Sequence, residues 1–364
     1  MKVNKIITCC IFLLLAFVSC SDESNGFIDS DKNNEIKEIS FCPSQISELR
    51  SGNSYWDWYG GFRAGDRIGV FAMEKGWREN SNLGSDKAFI HNHCFYFDGQ
   101  NFVPYMDKDR IFVRNEQLEF YIYYPYRPHM DYQRNMALIF SVSPFQNKDH
   151  HDDYPWRFEE NNLMTAEYTS EISGNIIPLV FRHRLSLVEI EIYHGLDREV
   201  NEAVLCRKYI RNYFDLTDTD KRFIPDTTKY DINMFPSHSY NGVSSYMALV
   251  PEQSIRKDSL LFLLDISGKQ YKHYSSKNNY LKANTGNYFK FSLPCTISLN
   301  ETTGGSASGS GTYNCGDEVT VRASMDRGYN FMGWYENGQK VSDYQYYSFT
   351  ANGDRWIEAR FKPF

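Results

Sequence analysis

The stretch IPLVFRHRLSLVEIEIYHGL, Ile177 to Leu196, decides the fold class. Leu179, Phe181, Leu185 and Leu187 share one parity, and Val188, Ile190 and Ile192 then take the other. Apolar residues at every second position give a β-strand one buried face. A change of parity inside such a run marks a bulge, or a strand that crosses between two packed sheets. The alternation recurs on both sides. LEFYIYYPY sets Leu118, Phe120, Ile122 and Tyr124 on one face of a half-buried strand, and in GGFRAGDRIGVFAME a turn at Gly65-Asp66 precedes a strand from Arg67. SSYMALVPE, SLLFLLDISG and NYFKFSLP repeat the rhythm up to Pro294, while EVNEAVLCRKYI is open to a short helix or a strand. Aromatic residues make up 16% of the chain, with 27 Tyr and 26 Phe, types that favour strands. The expected fold class is all-β.

The N-terminus carries an export address. Ile6 to Val18 is apolar, follows Lys2 and Lys5, and is shorter than the roughly 20 residues that span a bilayer, which makes it a signal-peptide core. It ends in VSC, and Cys20 with the residues before it resembles the acceptor of a bacterial lipoprotein signal, with Phe17 where Leu is usual. Cleavage before Cys20 and acylation of its thiol would tether the mature chain to a membrane; an ordinary cleaved signal is the alternative. Residues 20–35 are acidic and polar, the composition of a flexible tether. With 39 basic against 46 acidic residues, net −7, and no basic block, nucleic acid is not an expected partner. Cys42, Cys94, Cys206, Cys295 and Cys315 are scattered and odd in number, so neither a disulfide framework nor a zinc site is expected.

Near residue 302 the composition shifts to TTGGSASGSG, either a linker or a first loop, followed by a compact alternating segment. Glu336-Asn337-Gly338 and Asn352-Gly353-Asp354 are hairpin signals, Asn-Gly supplying the positive φ angles of a type I′ turn. Residues 296–364 are expected to form a separate small β domain with Tyr329, Phe331, Trp334, Phe349, Trp356 and Phe361 as its core. Further upstream, Ile39 and Phe41 share one face of a short strand, and Pro43 confines that strand to a sheet edge.

Chemistry is sparse. His91 and His93 sit two apart in HNHC and Asp149 to Asp153 spells DHHDD, yet neither completes a ligand set, and His183 reads as a buried core histidine. No nucleophile elbow, P-loop or dinucleotide fingerprint is present. The expectation is a non-enzyme without cofactor or metal. The aromatic clusters SYWDWYGGF and YQYYSF are candidates for glycan contact.

Several motifs line up in order: ISF with Arg50 nine residues beyond Phe41, GDRIGVFA, FYIYYPY, NLMTAEYT, LVFRHRLSLVEIEI, MALVPEQ and NTGNYFKFSL. Together they resemble the fimbrillin family, subunits of type V pili and related surface lipoproteins of Gram-negative anaerobes. The resemblance implies two transthyretin-like β-sandwich lobes, here over 36–171 and 172–295. It also implies a trypsin-like cut after an arginine, matched by the Arg50–Ser51 bond, although Leu49 stands where Thr is common. That cut would make the strand of Ile39 and Phe41 removable, so that other pilus subunits could join by β-strand addition. GTYNCGDEVTVRA, GYNFMGWYENG and WIEARF resemble internalin-type B repeats, binding or spacer modules. The expected role is a terminal or accessory subunit, tip or adhesin, at the outer-membrane surface. The alternative is a free-standing lipoprotein that binds host protein or glycan and does not polymerise.

Overall fold

The computed structural model describes residues 36–46, 61–77, 89–114, 116–128, 132–133, 137–147, 158–216, 223–225 and 227–364. Cys20, Arg50, Ser51 and the DHHDD run lie outside these residues. The described chain is all-β.

The first body is a closed seven-stranded barrel. Its strands are β1 (Ser40–Ile46), β2 (Arg67–Glu74), β3 (Ile90–Phe97), β4 (Phe102–Pro104), β5 (Leu118–Tyr124), β6 (Met164–Tyr168) and β7 (Ile176–His183), in the order β6-β7-β1-β4-β3-β2-β5 with β5 pairing back to β6. Phe41, Ile68, Val70, Phe95, Phe120, Ile122, Leu179 and Phe181 fill its interior. β7 closes the barrel by pairing in parallel with β1 and antiparallel with β6, so the barrel extends past residue 171, where the sequence placed the lobe boundary.

The run is broken at Arg184 and Leu185, ahead of the parity change; Leu187 and Val188 are consecutive residues of one strand and both are buried in the second core. β7 ends at His183, and β8 (Ser186–Tyr193) starts a different sheet three residues later. This second body also contains β9 (Val200–Tyr209), β10 (Lys229–Asn233), β11 (Phe235–Tyr240), β12 (Val243–Val250), β13 (Leu260–Ile266), β14 (Lys269–Tyr274) and β15 (Gly286–Ser292). They form two four-stranded sheets, β11-β12-β8-β15 and β10-β9-β13-β14, which share one core built on Val188, Ile190, Ile192, Leu205, Phe262 and Leu264. EVNEAVLCRKYI is the strand β9, its ambiguous pattern explained by a bulge near Arg207, whose φ is +53°.

Barrel and second body share a buried seam. β2 and β5 point Ile68, Val70, Phe120 and Ile122 into the barrel, while Phe71, Met73, Tyr121 and Tyr123 join the second core. β5 is thus buried on both faces and not half-buried as its alternation implied, because aromatic residues at the polar positions found a second apolar partner. A short strand, Ala137–Ser141, adds to the seam by pairing with Arg211–Asp215 of the second body.

The C-terminal strands are β16 (Pro294–Glu301), β17 (Gly305–Ser308), β18 (Gly311–Asn314), β19 (Glu318–Met325), β20 (Tyr329–Glu336), β21 (Gln339–Ser342), β22 (Tyr346–Thr350) and β23 (Arg355–Pro363). They make a five-stranded sheet, β18-β16-β23-β20-β21, and a three-stranded one, β17-β19-β22. Their core is Ile297, Val319, Val321, Trp334, Ile357, Ala359 and Phe361. Asn337 and Gly338, at φ +49° and +80°, make the expected type I′ hairpin between β20 and β21. Asn352-Gly353 does not make a hairpin: β22 and β23 belong to different sheets, so the turn carries the chain across the core.

Two further expectations are corrected here. Cys295 and Cys315 form a disulfide, which the odd count of scattered cysteines concealed. Trp356 is not in the core: β23 turns Ile357, Ala359 and Phe361 inward and leaves Trp356 67% exposed.

Candidate functional site

The candidate site is β1 in its seat. Ile39 and Phe41 are fully buried, and the Phe41 ring meets Phe95 at 5.1 Å and Phe120 at 5.3 Å, both edge-on. Main-chain bonds hold the entry: Ile39 N donates to Ile111 O and Ser40 N to Asn175 O, each at 2.9 Å. Just before it, Lys37–Glu38 pairs with Phe112–Val113, and Arg110 grips Glu38 through Nε and Nη2 at 2.7 and 2.6 Å. That bidentate bond holds the Glu38 carboxyl below the usual carboxylate range.

β1 is not at a sheet edge. It lies between β7, along which it pairs over its whole length, and β4, which it meets at one pair, Phe41–Phe102. Pro43 is tolerated inside the barrel because β4 pairing has already ended there. A bulge follows directly, with Leu179 opposite Pro43 and Val180 opposite Gln45. A missing N–H is harmless at such a place. Ser44 Oγ donates to Leu179 O at 3.0 Å across the bulge. Removing residues 36–46 would therefore take two apolar plugs from the barrel and expose the flanks of β7 and β4, an open template for another chain.

The histidine candidates have structural partners. A bulge at Asn92, φ +49°, turns His91 edge-on to Phe71 at 5.1 Å, while His93 Nδ1 lies 3.1 Å from Asp109 O. Among the described residues no group of three His, Cys, Asp or Glu is placed to hold a metal ion. His183 is buried with Nδ1 2.8 Å from Asn162 Oδ1, and burial pulls its pKa down to about 4. Burial pushes the Cys94 and Cys206 thiols up to about 11, which leaves them as unreactive thiols. Of the aromatic clusters, Phe62 packs inside the barrel against Phe102 and Phe181 at 4.8 Å each. Tyr344 and Tyr346 are exposed, with Arg322 5.4 Å from the Tyr346 ring.

A junction that no sequence pattern announced joins the second body to the C-terminal sheets. Only Leu293 separates β15 from β16, and Leu293 N donates to Tyr193 O at 2.9 Å. Arg198 Nη2 donates to Pro294 O at 3.1 Å and lies 3.5 Å from Cys315 Sγ. Leu196 N donates to Asn352 O at 2.6 Å, and the Tyr193 ring lies against Gly316.

The fimbrillin-like family model matches residues 58–308, more than half of the chain. The chain belongs to the fimbrillin-like family. A divergent InlB B-repeat domain matches residues 295–364, and the two matches overlap over residues 295–308, which hold β16 from Cys295 onward and β17. Among solved structures, a protein from Bacteroides ovatus described as a candidate for cell adhesion has a TM-score of 0.50 at 13% identity, over 70% of this chain and 92% of its own. A counterpart from Bacteroides uniformis gives 0.47 at 13% identity, over 70% and 91%. The tip fimbrial protein Mfa3 from Porphyromonas gingivalis, with a C-terminal truncation, gives 0.40 at 8% identity, over 70% and 93%. At 13% identity the likeness to the Bacteroides ovatus protein is one of fold alone. A search of curated proteins finds no match.

Proposed function

We propose that this fimbrillin-like chain is a non-enzymatic cell-surface lipoprotein, anchored through Cys20, that joins a pilus as a terminal or accessory subunit by strand replacement. The observation that carries the reading is the seat of β1: a strand held by main-chain pairing along β7, with Ile39 and Phe41 as buried plugs and Arg50 a short way beyond it. Cutting after Arg50 would leave β1 held by non-covalent contacts alone. A strand from a neighbouring subunit would replace it, backbone pairing giving affinity and alternate side chains giving register. The junction supports an accepting role, since β15 passes through Leu293 straight into β16 and has no free end to donate. Residues 296–364 would then serve as an adhesive or spacer module at the exposed end.

The test is Arg50→Ala in cells carrying the stalk subunits. Loss of the N-terminal cleavage product and of co-assembly supports the reading. Normal co-assembly of the variant defeats strand replacement after a cut at Arg50, and failure of the parent chain itself to co-assemble favours the free-standing surface lipoprotein. Cys20→Ala should abolish palmitate labelling and release the protein from the outer-membrane fraction.

A further inference from the structure

The outer face of the C-terminal five-stranded sheet is a second place built for contact. β23 is its central strand, and Trp356 stands on its outer side, 67% exposed. Single exposed apolar residues are ordinary on a protein surface. This indole has more specific surroundings. The core position for a large ring is already filled by Trp334, fully buried on β20, and Trp356 is not part of that core. Its cross-strand neighbour on β16 is Ser298, which is small; the next pair on the same face sets Asn300 beside Glu358, with Tyr335 opposite Glu358 on β20. Trp356 and Tyr335 are thus diagonal neighbours, about 7–8 Å apart in backbone terms. Arg360 lies 4.1 Å from the Tyr335 ring and holds that edge of the face.

Charge identifies the partner. Arg360 Nε is 2.5 Å from Glu358 Oε2, and Lys340 Nζ is 2.7 Å from Asp343 Oδ1. Exposed Lys362, two residues beyond Arg360 on the same side of β23, is offset in number by Asp354 just before the strand, so three cations stand against three carboxylates and little net field is left to draw a polyanion. What remains is a flat indole, a tyrosine ring, and hydroxyl, amide and carboxylate groups within reach of both. An uncharged pyranose has the matching surface: apolar C–H groups on a ring face and hydroxyls around its rim. The tryptophan supplies rigid amphipathic area and the rim groups supply hydrogen bonds.

We propose that this face binds a neutral oligosaccharide, with Trp356 as the stacking platform and with Ser298, Asn300, Glu358 and the hydroxyl of Tyr335, whose ring Arg360 already covers, as hydroxyl partners. The proposal names a ligand for the adhesive module of the proposed function. It rests on that reading only for the face being presented outside the cell.

The test titrates the purified chain with cellohexaose, maltohexaose, mannohexaose and chitohexaose, and with heparin as the acidic comparator, by calorimetry and tryptophan fluorescence. At least one neutral hexasaccharide should bind and change the fluorescence. Trp356→Ala should weaken it about tenfold or more, as expected of an anchoring ring, with no change in melting temperature. No binding by any neutral sugar, full binding by Trp356→Ala, or binding of heparin alone overturns the proposal. Arg50→Ala should bind the same sugar as the parent, so loss of pilus assembly and loss of this site are read separately.

Discussion

Cys295 and Cys315 close a loop across a sequence separation of 20 and tie the start of β16 to the turn after β18. Replacing both with serine removes that constraint from the unfolded chain. The loop-entropy relation for this separation gives about 11 cal/mol/K, or about 3 kcal/mol at 25 °C. A unit the size of the C-terminal sheets has a total stability of roughly 4–10 kcal/mol, so the bridge supplies a third or more of it. At about 4–8 °C per kcal/mol for a unit this small, the melting temperature should fall by about 12–24 °C. The assay is thermal and urea unfolding of a fragment spanning residues 294–364, in parent and Cys295→Ser/Cys315→Ser forms, with and without reductant. Reductant should destabilise the parent and leave the variant unchanged. A fragment starting at residue 296 lacks Cys295 and should behave like the serine variant. Equal stability of oxidised parent and variant would show that the core of Val321, Trp334 and Ile357 already fixes the fold and that the loop argument is wrong.

Three further outcomes are expected. His183, buried with a pKa near 4 against an ordinary 6.5, binds its proton more readily when unfolded, so stability should decline as pH falls from 6.5 to 4, by about 3 kcal/mol in all; His183→Gln should flatten that limb of a urea-midpoint profile. Lys208 is buried, its Nζ bonded to Cys206 O, and burial lowers its pKa to about 8. The unfolded chain holds more protons between pH 8 and 10.5, so stability should rise with pH there, and Lys208→Met should stabilise the protein at pH 7 by roughly 1–3 kcal/mol and abolish the rise; a destabilised variant would refute this. Gly316 has φ +93° and a Cβ placed there would sit 2.3 Å from the Tyr193 ring, so Gly316→Ala should destabilise the junction by roughly 1–3 kcal/mol and speed proteolysis near Leu293.

What the sequence determined by itself is local. Period-two alternation announced the strands and Asn337-Gly338 announced its hairpin, because each depends on a few adjacent residues and on backbone sterics, whereas the parity change near Leu187 falls inside one regular strand and the chain changes sheets before it, at Arg184 and Leu185. The order of motifs also pointed to the family. Alternation tells which residues share a face but not what covers that face. Tertiary structure alone decided that Tyr121 and Tyr123 are buried on the outside of the barrel, that Trp356 faces solvent while Trp334 fills the core, and that Ile176–His183 closes the barrel. The same holds for β1. Its interior position depends on parallel pairing with a strand more than 130 residues away in sequence, and Pro43 fits there only because β4 stops short and a bulge follows. The Cys295–Cys315 bridge is of this kind too. No spacing rule selects that pair from five cysteines, and only the pairing of β16 with β18 brings the two Cα atoms to 5.2 Å.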